Sequence, residues 1–353
     1  MSLSRNPINL RQLDGGGPPA SPGQVSAFTI VHNEMLRVPF MLDYHRRLGV
    51  SKFYFVDDKS TDGTREFLLE QAAAGDVHVF DPDISYREAR GGLDWVEHLA
   101  DRFAPGNWML KLDSDELFVY PDSESRPLAE LVRHLEAEGV RGMTAFMLDL
   151  YPKGAISDTK YVAGQSFLDA APWFDARIDM HRRLPFITRT SPDVMITGGV
   201  RTRAFYPELH GKSATQLFTR RVARLAKRKL KRLGIHLNVS DVVPPILEKV
   251  PLRKWEAGRS FFVSAHQVDK IALSATSGVL LHFKYLQDFH EKVARAVERK
   301  QYFDGASEYS RYAAIVGDDS AWSLADPHSV RYDSSGQLVE LGLIRRGGFA
   351  AAA

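Results

Sequence analysis

The amino-acid sequence contains no cysteine among its 353 residues. This absence excludes disulfides, thiolate metal sites and cysteine nucleophiles, and it suits a reducing compartment. No apolar run approaches the roughly 20 residues that a membrane-spanning helix needs. Residues 1–24 are polar and rich in glycine and proline, without the apolar core of a signal sequence, so we expect a flexible N-terminal segment. Together these absences predict a cytoplasmic globular protein.

Several nucleotide-binding and hydrolase motifs are also missing. No G-x-G-x-x-G follows the first predicted strand, and the sequence has no G-x-x-x-x-G-K-[ST], G-x-S-x-G or H-E-x-x-H motif. A bound nucleotide would therefore be held by carboxylates and a metal ion rather than by a glycine-rich loop. The net charge is only +2, which argues against nucleic acid as a partner.

The sequence does contain alternating strand and helix patterns. Short β-rich runs are followed by amphipathic segments, the first of which begins after the capping residue Asn33 and ends at Gly49. Strands are predicted at 25–32, 52–57, 77–80, 107–113 and 143–151, with helices between them. Repeated β-α-β units of this length predict an α/β fold with a mostly parallel, doubly wound sheet and helices on both faces.

Acidic residues cluster where the predicted strands end. In the stretch 107–116, NWMLKLDSDE, an apolar run leads into Asp113 and Asp115, whose side chains would leave one face of an extended strand. Two such carboxylates repel unless a cation lies between them, and a hard divalent metal suits that geometry. A solvated acidic turn is the alternative. Ligands on parallel sheets bind beyond the carboxyl ends of the strands, where the sequence also places His32, Asn33, Glu34, Asp57, Asp58, Asp81 and Asp83.

The block TIVHNEMLRVPFMLDYHRRLGVSKFYFVDDKSTDGT, together with the later DSDE, resembles the family-2-like glycosyltransferases. The blocks LEKVPLRKW, SAH and LLHFKYLQDF resemble the same family, and the likeness runs from Val25 to about Tyr312. The resemblance implies a GT-A fold, a nucleotide-sugar donor with UDP as the default nucleotide, and Mn²⁺ or Mg²⁺ as cofactor. We accordingly divide the chain into a nucleotide-sugar-binding half at 25–155, an irregular acceptor-side half of the same domain at 156–320, and a tail at 321–353.

By resemblance, the DSDE stretch is the D-x-D metal motif of that family. Asp115 would ligate the metal, Asp113 would bind the metal, its water or the ribose, and His282 would complete the metal shell. The residues implied on the donor-nucleotide side are His32, Asn33, Glu34, Asp57, Asp58, Asp113, Arg201 and Lys284. Plainer alternatives stay open, with Glu34 as a first-turn acid favoured by the helix dipole and His282 as a core histidine.

Two basic pairs in the second half could contribute to the same site. Arg201 and Arg203 follow a Gly-Gly pair and would share one strand face, where they could meet phosphate or an anionic acceptor. A surface strand with two solvated arginines is the alternative. His282 and Lys284 would share one face of a buried strand at 278–286. Weaker candidates for the same site are Lys249, Arg253 and His266.

No motif identifies the catalytic base. Inverting transfer, which the resemblance implies, needs a carboxylate that deprotonates the acceptor hydroxyl. The E-D pair and the Q-x-x-R-W motif of many family members are absent. Asp193, which precedes the Gly-Gly segment, and Asp149 are the candidates that we select, with Asp169 and Asp175 as further possibilities.

The segment 219–233, TRRVARLAKRKLKRL, carries eight lysines and arginines and no acid. Its leucines recur at helical spacing, so a basic amphipathic helix is predicted. Such a helix would either lie peripherally on the inner face of an anionic membrane or pack as a solvated helix on the domain.

The combined hypothesis is a metal-dependent glycosyltransferase of polysaccharide biosynthesis that uses a glycan or lipid-linked acceptor. A nucleotidyltransferase would use a metal and a nucleotide at the same kind of sheet edge. A nucleotide-sugar-binding protein without a working base is the non-enzymatic alternative.

Overall fold

The computed structural model describes residues 8–16, 21–182, 190–212, 245–258, 261–264, 266–299, 303–317 and 321–349, and single positions between 213 and 244. The predicted basic helix at 219–233 therefore lies largely outside the described residues. Within these ranges, no helix has the length and apolar character that spanning a membrane requires.

The strands of the described ranges are short, and most are buried. Their bounds are β1 Leu10–Gln12, β2 Val25–Val31, β3 Lys52–Asp57, β4 Val77–Pro82, β5 Trp108–Lys111, β6 Glu116–Val119, β7 Gly142–Tyr151, β8 Trp173–Asp175, β9 Ile178–Arg182, β10 Thr190–Ser191, β11 Val194–Gly198, β12 Glu248–Lys254, β13 Phe261–Ser264, β14 Gln267–Asp269, β15 Leu273–His282 and β16 Ser329–Arg331.

Helices separate the first strands and return near the C-terminus. Their bounds are α1 Val38–Leu48, α2 Thr64–Ala72, α3 Leu93–Phe103, α4 Leu128–Ala137, α5 Phe167–Ala170, α6 Phe289–Arg299, α7 Phe303–Val316 and α8 Ser335–Glu340, with a π-helical turn at Arg201–Phe205.

The main sheet has the strand order β1-β4-β3-β2-β5-β12-β7-β15-β6, with β8 and β16 attached beside β7. Strands β4, β3, β2 and β5 are parallel, as are β7 and β15. Strand β12 lies antiparallel between β5 and β7, so β7 points the same way as β5. The predicted α/β class with a mostly parallel sheet is confirmed. Because β12 and β15 come from the second half of the chain, both halves build one sheet.

Alternating side chains send the two faces of the sheet into different cores. On β2, Ala27 packs in a core with Met41 of α1 and Leu131 of α4, while Phe28 packs in a second core with Trp95 of α3. Each of these side chains is almost fully buried. This alternation is the period-two pattern of a strand covered on both faces. Helices therefore lie on both faces, as predicted.

Two local predictions need correction. Helix α1 begins at Val38 rather than after Asn33, because Pro39 favours the first helical turn while Asn33 adopts a left-handed turn conformation with φ of 55°. Gly49 does end α1 in the left-handed conformation, as predicted. Within the N-terminal segment expected to be flexible, residues 10–12 form the edge strand β1, which pairs with β4.

The carboxyl ends of the parallel strands converge on one edge of the sheet, which we call the carboxyl edge. The DSDE stretch follows β5, Asp57 ends β3, and His282 ends β15 beside Asp149 of β7 in the parallel register. Chemistry-bearing residues that are far apart in the sequence therefore meet at this edge.

Candidate active site

The DSDE stretch forms a tight turn rather than a strand end. Strand β5 stops at Lys111 and β6 starts at Glu116, so Asp113 and Asp115 lie in the turn between them. The Glu116 carboxylate closes the turn by accepting a hydrogen bond from the Asp113 backbone N–H at 3.0 Å. The predicted placement of both aspartates on one strand face is wrong, because the chain reverses here and the two side chains contact different groups.

Asp113 is held by two lysines from neighbouring strands. Lys249 of β12 donates to Asp113 Oδ2 at 2.8 Å and to Glu116 Oε1 at 2.5 Å, while Lys111 contacts Asp113 Oδ1. Desolvation opposes ionisation of Asp113, but the two ammonium groups prevail and hold its pKa well below the usual range. We call Lys111, Asp113, Glu116 and Lys249 the donor-side cluster, because three of the four come from the half of the chain predicted to bind the nucleotide-sugar donor. The cluster contains two lysines and two carboxylates, so its charges balance within the protein. A lysine contacts each oxygen of Asp113.

Asp115 faces a different partner, the imidazole of His282. Asp115 Oδ2 lies 3.4 Å from His282 Nε2, and His282 Nδ1 lies 2.6 Å from Asp149 Oδ1. Because the Asp149 carboxylate can only accept, the proton of a neutral His282 lies on Nδ1 and Nε2 carries a lone pair. A lone pair and a carboxylate oxygen then face each other across a short gap. Either a proton on Nε2 or a metal ion would satisfy this contact.

The donor set at this gap suits a divalent metal ion. A carboxylate behind the histidine is the partner that orients metal-bound imidazoles, and Asp149 occupies that position. Among the residues that the structure describes, no three His, Asp or Glu side chains are close enough to share one ion. Asp115 and His282 would therefore supply two ligands, and water or substrate oxygens would supply the others. Of the predicted metal ligands, Asp115 and His282 come together, and Asp113 contacts Lys111 and Lys249 instead.

Asp149 is fully committed to other side chains. Arg201 donates to both of its oxygens, from Nη2 to Oδ1 at 2.6 Å and from Nε to Oδ2 at 3.0 Å. His282 Nδ1 also contacts Oδ1. Burial alone would raise the pKa of Asp149, but Arg201 and His282 hold it far below the usual range. Because Arg201 and His282 engage both of its oxygens, Asp149 is poorly placed to take a proton from a substrate, and its position suits it to orient His282.

The two arginines after the Gly-Gly pair do not share a strand face. They lie in the π-helical turn, which sends Arg201 to Asp149 and Arg203 to Asp175 at 2.7 Å. The prediction of one basic strand face is therefore wrong, because helical geometry separates side chains that are two residues apart.

A second group of charges lies beyond His282. Lys284 follows the end of β15, and its ammonium lies 3.6 Å from Glu308 of α7 and 4.8 Å from the ring centroids of Tyr309 and Tyr312. Arg201 Nη1 also lies 3.6 Å from the same Glu308 oxygen. We call Arg201, Lys284 and Glu308 the acceptor-side cluster, because all three come from the half of the chain predicted to lie on the acceptor side. Sequence reasoning missed Glu308, because it lies within a helix and neither a motif nor a strand end marks it.

Five of the residues predicted on the nucleotide side lie around the ends of β2 and β3, namely His32, Asn33, Glu34, Asp57 and Asp58. His32 Nδ1 lies 2.6 Å from the backbone oxygen of Asp58, and Asn33 accepts a hydrogen bond from the Thr61 N–H at 2.7 Å. Asp57 is buried and pairs with Arg65 at 2.5 Å. If Asp57 contacts a nucleotide, its carboxylate must therefore bind Arg65 and the nucleotide at the same time.

Glu34 lies at the same edge and pairs with Lys292 of α6 at 2.6 Å. Arg37, which is fully buried, makes a two-pronged ion pair with Asp288 at 2.6 and 2.7 Å. These contacts dock the start of α6 against the turn before α1, so the second half of the chain helps to cover this edge.

Asp193, the other predicted base, is not near these clusters in the described part of the chain. Its side chain is 54% exposed and its ion-pair partner is Lys270 at 4.0 Å. It precedes β11, which pairs with β9 in a small separate ribbon rather than with the main sheet. The structure thus assembles Asp113, Asp115, Asp149, Arg201, His282 and Lys284 but leaves Asp193 apart.

Comparisons with known proteins give distant structural likenesses. No family model matches the chain, and no curated protein matches it. TarS residues 1–349 from S. aureus matches with 15% identity and a TM-score of 0.31 over 84% of this chain and 73% of that one. Its complex with UDP matches with 16% identity and a TM-score of 0.28, over 36% of this chain and only 35% of that one.

A further solved structure is glucosyl-3-phosphoglycerate synthase from Mycobacterium tuberculosis, in complex with Mn²⁺, UDP and glucosyl-3-phosphoglycerate. It matches with 19% identity and a TM-score of 0.24, over 36% of this chain and 44% of that one. At these TM-scores the likenesses do not define an activity for the present chain.

Proposed function

We propose that this protein is a metal-dependent glycosyltransferase of GT-A type that moves a sugar from a nucleoside-diphosphate donor, with UDP as the default, to an acceptor hydroxyl. The observation that carries the proposal is the Asp115–His282 pair at the carboxyl edge. Asp149 orients the imidazole so that two potential metal-ligand atoms, Asp115 Oδ2 and His282 Nε2, lie 3.4 Å apart. This edge is also where parallel sheets bind their ligands.

Each charged group then has a role in donor binding. Asp115 and His282 would hold Mn²⁺ or Mg²⁺, and the ion when bound stabilises negative charge on the departing diphosphate. Lys284 and Arg201 lie next to this pair and would bind diphosphate oxygens. Asp113, fixed by its two lysines, would face the ribose or a metal-bound water, with His32, Asn33, Glu34, Asp57 and Asp58 toward the nucleoside.

The direct test is turnover with a panel of nucleotide sugars and Mn²⁺. We expect release of nucleoside diphosphate, with transfer to a glycan or lipid-linked acceptor and inversion at the sugar carbon. Pyrophosphate release from a nucleoside triphosphate and a sugar phosphate would instead identify a nucleotidyltransferase. Metal-dependent nucleotide binding without turnover would identify a binding protein.

We also propose peripheral contact with the inner face of a membrane through the basic segment 219–233. Its eight positive charges without an acid would be attracted to anionic lipid. Replacing four of its arginines and lysines by glutamine should weaken binding to anionic liposomes at low salt. Equal binding by both proteins would contradict this contact.

A further inference from the structure

We propose that Glu308 of α7 is the catalytic base, the carboxylate that takes the proton from the acceptor hydroxyl. This inference rests on the proposed function and supplies the residue that no sequence motif identified. It starts from the position of Glu308, whose Oε1 lies 3.6 Å from both Lys284 Nζ and Arg201 Nη1.

Three of the other carboxylates considered as the base are occupied or displaced. Asp149 accepts from Arg201 and His282 at both oxygens. Asp175 is bound by Arg203 and by the hydroxyl of Tyr151. Asp193 is exposed and lies on a separate ribbon. Apart from Asp115, which is the proposed metal ligand, Glu308 is the carboxylate near His282 to which no Lys or Arg donates a normal hydrogen bond in the described residues.

Exposure within the acceptor-side cluster increases toward Glu308. The side chain of Arg201 is 5% exposed and that of Lys284 is 14% exposed, while that of Glu308 is 35% exposed. Arg201 Nη2 also lies 3.4 Å from Nδ1 of His282, one of the two proposed metal ligands. The guanidinium of Arg201 therefore lies between His282 and Glu308. An acceptor that approaches from solvent would therefore meet Glu308 before it reached the buried cations that are expected to hold the diphosphate.

The contacts of Glu308 suit a carboxylate that changes partners during the reaction. At 3.6 Å neither cation makes a normal hydrogen bond to it, whereas the hydroxyl of Tyr312 donates to the same oxygen and orients the group. Desolvation opposes ionisation, but Lys284 and Arg201 lower the pKa of Glu308 to about 2. A diphosphate that engages these two cations would withdraw that stabilisation. The pKa of Glu308 would then rise as the donor binds, which increases its basicity when it is needed.

The proposed step is balanced in atoms and electrons. The acceptor oxygen forms a bond to the anomeric carbon while its proton passes to Glu308. The bond between that carbon and the diphosphate oxygen breaks, and its electron pair stays on the diphosphate. Glu308 then loses the proton to solvent after the products leave.

The test compares Glu308→Gln with a matched control, Glu208→Gln. Glu208 is also 35% exposed and also pairs with α7, through Arg311 at 2.5 Å, but it contacts neither Lys284 nor Arg201 in the described structure. Release of UDP from a panel of UDP-sugars with Mn²⁺ is measured with water or an added sugar as acceptor. UDP affinity and thermal melting are measured on the same samples, together with Glu308→Asp.

We expect Glu308→Gln to lower turnover by roughly 10²- to 10⁴-fold. UDP binding should be unchanged or up to about fivefold tighter, because a competing carboxylate has been removed from two cations. A large loss of turnover without a loss of UDP affinity is not expected of a purely structural residue. Glu308→Asp should recover part of the rate, and Glu208→Gln should behave as wild type.

Three results would overturn the assignment. Turnover of Glu308→Gln within a few fold of wild type would remove Glu308 as the base. Loss of UDP binding and a lowered melting temperature in parallel with turnover would make its role structural. A wild-type protein that binds no nucleoside diphosphate and releases none from any nucleotide sugar would remove the proposed function itself, and this inference with it.

Discussion

The two charged clusters at the carboxyl edge are built in opposite ways. In the donor-side cluster, Lys249 donates to Asp113 at 2.8 Å and to Glu116 at 2.5 Å, and both Lys249 and Glu116 are buried. In the acceptor-side cluster, Lys284 and Arg201 approach Glu308 only to 3.6 Å, and Glu308 is partly exposed. The first set of charges is closed by short hydrogen bonds. In the second, Asp149 holds Arg201 by short hydrogen bonds, but the contacts of Glu308 with the two cations are long.

This difference separates groups that hold a geometry from groups that can exchange partners. Buried, hydrogen-bonded ion pairs resist rearrangement, because losing a partner leaves an uncompensated charge away from water. Loosely paired charges near solvent change partners at little cost. We infer that the donor-side cluster fixes the turn that carries Asp115, and that the acceptor-side cluster reorganises when an anionic substrate binds.

The largest expected effect is at Asp115, which lies between the two clusters. Asp115→Ala removes one of the two proposed metal donors, and its loss should lower UDP release by roughly 10³-fold or more, which corresponds to several kcal/mol of transition-state stabilisation. Calorimetry should show that Mn²⁺ no longer strengthens UDP binding, while the circular dichroism spectrum stays that of wild type.

Asp193→Ala is the control for that change, because it removes an exposed aspartate outside both clusters. It should keep wild-type turnover. Activity retained by Asp115→Ala would contradict the metal assignment, and activity lost by Asp193→Ala would revive Asp193 as a catalytic candidate.

The next largest effect is expected in the donor-side cluster. Lys249→Met leaves the buried carboxylate of Glu116 without its cation, so the free energy of unfolding should fall by about 3–5 kcal/mol. Lys254→Met on the same strand breaks only an exposed pair with Glu136, with the lysine 37% exposed, and should cost less than about 1 kcal/mol. Urea titrations of both variants measure the difference.

The double variant Lys249→Met/Glu116→Gln sharpens this comparison. It removes the unpaired charge and should recover part of the lost stability. Equal losses for Lys249→Met and Lys254→Met would mean that the donor-side cluster is no more tightly closed than an ordinary surface pair.

The smallest expected effect is a change in pH dependence at Asp149. Arg201 and His282 depress the pKa of Asp149 in the folded state, while the unfolded value is about 3.9. The stabilisation is therefore fully present above the unfolded pKa and is lost as the pH falls through the folded pKa. The gap in unfolding free energy between wild type and Asp149→Asn should narrow below about pH 4. A gap that stays constant between pH 7 and pH 3 would contradict the depressed pKa.

Much of the framework was predictable from local pattern. The predicted strand at 52–57 has the observed bounds of β3, and the first predicted helix ends at Gly49, as observed for α1. Asn33 illustrates the opposite case. Its side chain could cap a helix, yet it serves a turn instead, because its oxygen accepts from Thr61 on a neighbouring loop.

The candidate site was only partly predictable, because the sequence does not show which protein group each charged side chain will contact. Asp115 and His282 were expected together and lie 3.4 Å apart. Arg201 was expected to face an anionic ligand, and its nearest anion is the Asp149 carboxylate. A sequence shows which residues can carry charge, but a protein carboxylate competes with a ligand for the same cation.

The sequence by itself determined the parallel strands of the first half, the alternation of strands and helices there, and the edge of the sheet on which the acids fall. Hydrophobic periodicity and chain direction are local properties, and parallel strands place their carboxyl ends together. The tertiary structure alone decided the partner of each charge. Strand β12 inserts between β5 and β7 and brings Lys249 to Asp113 across 136 positions, while α7 brings Glu308 to Lys284. Electrostatic contacts depend on distance in space, so the order of strands in the sheet sets which carboxylates are neutralised and which stay available for substrate.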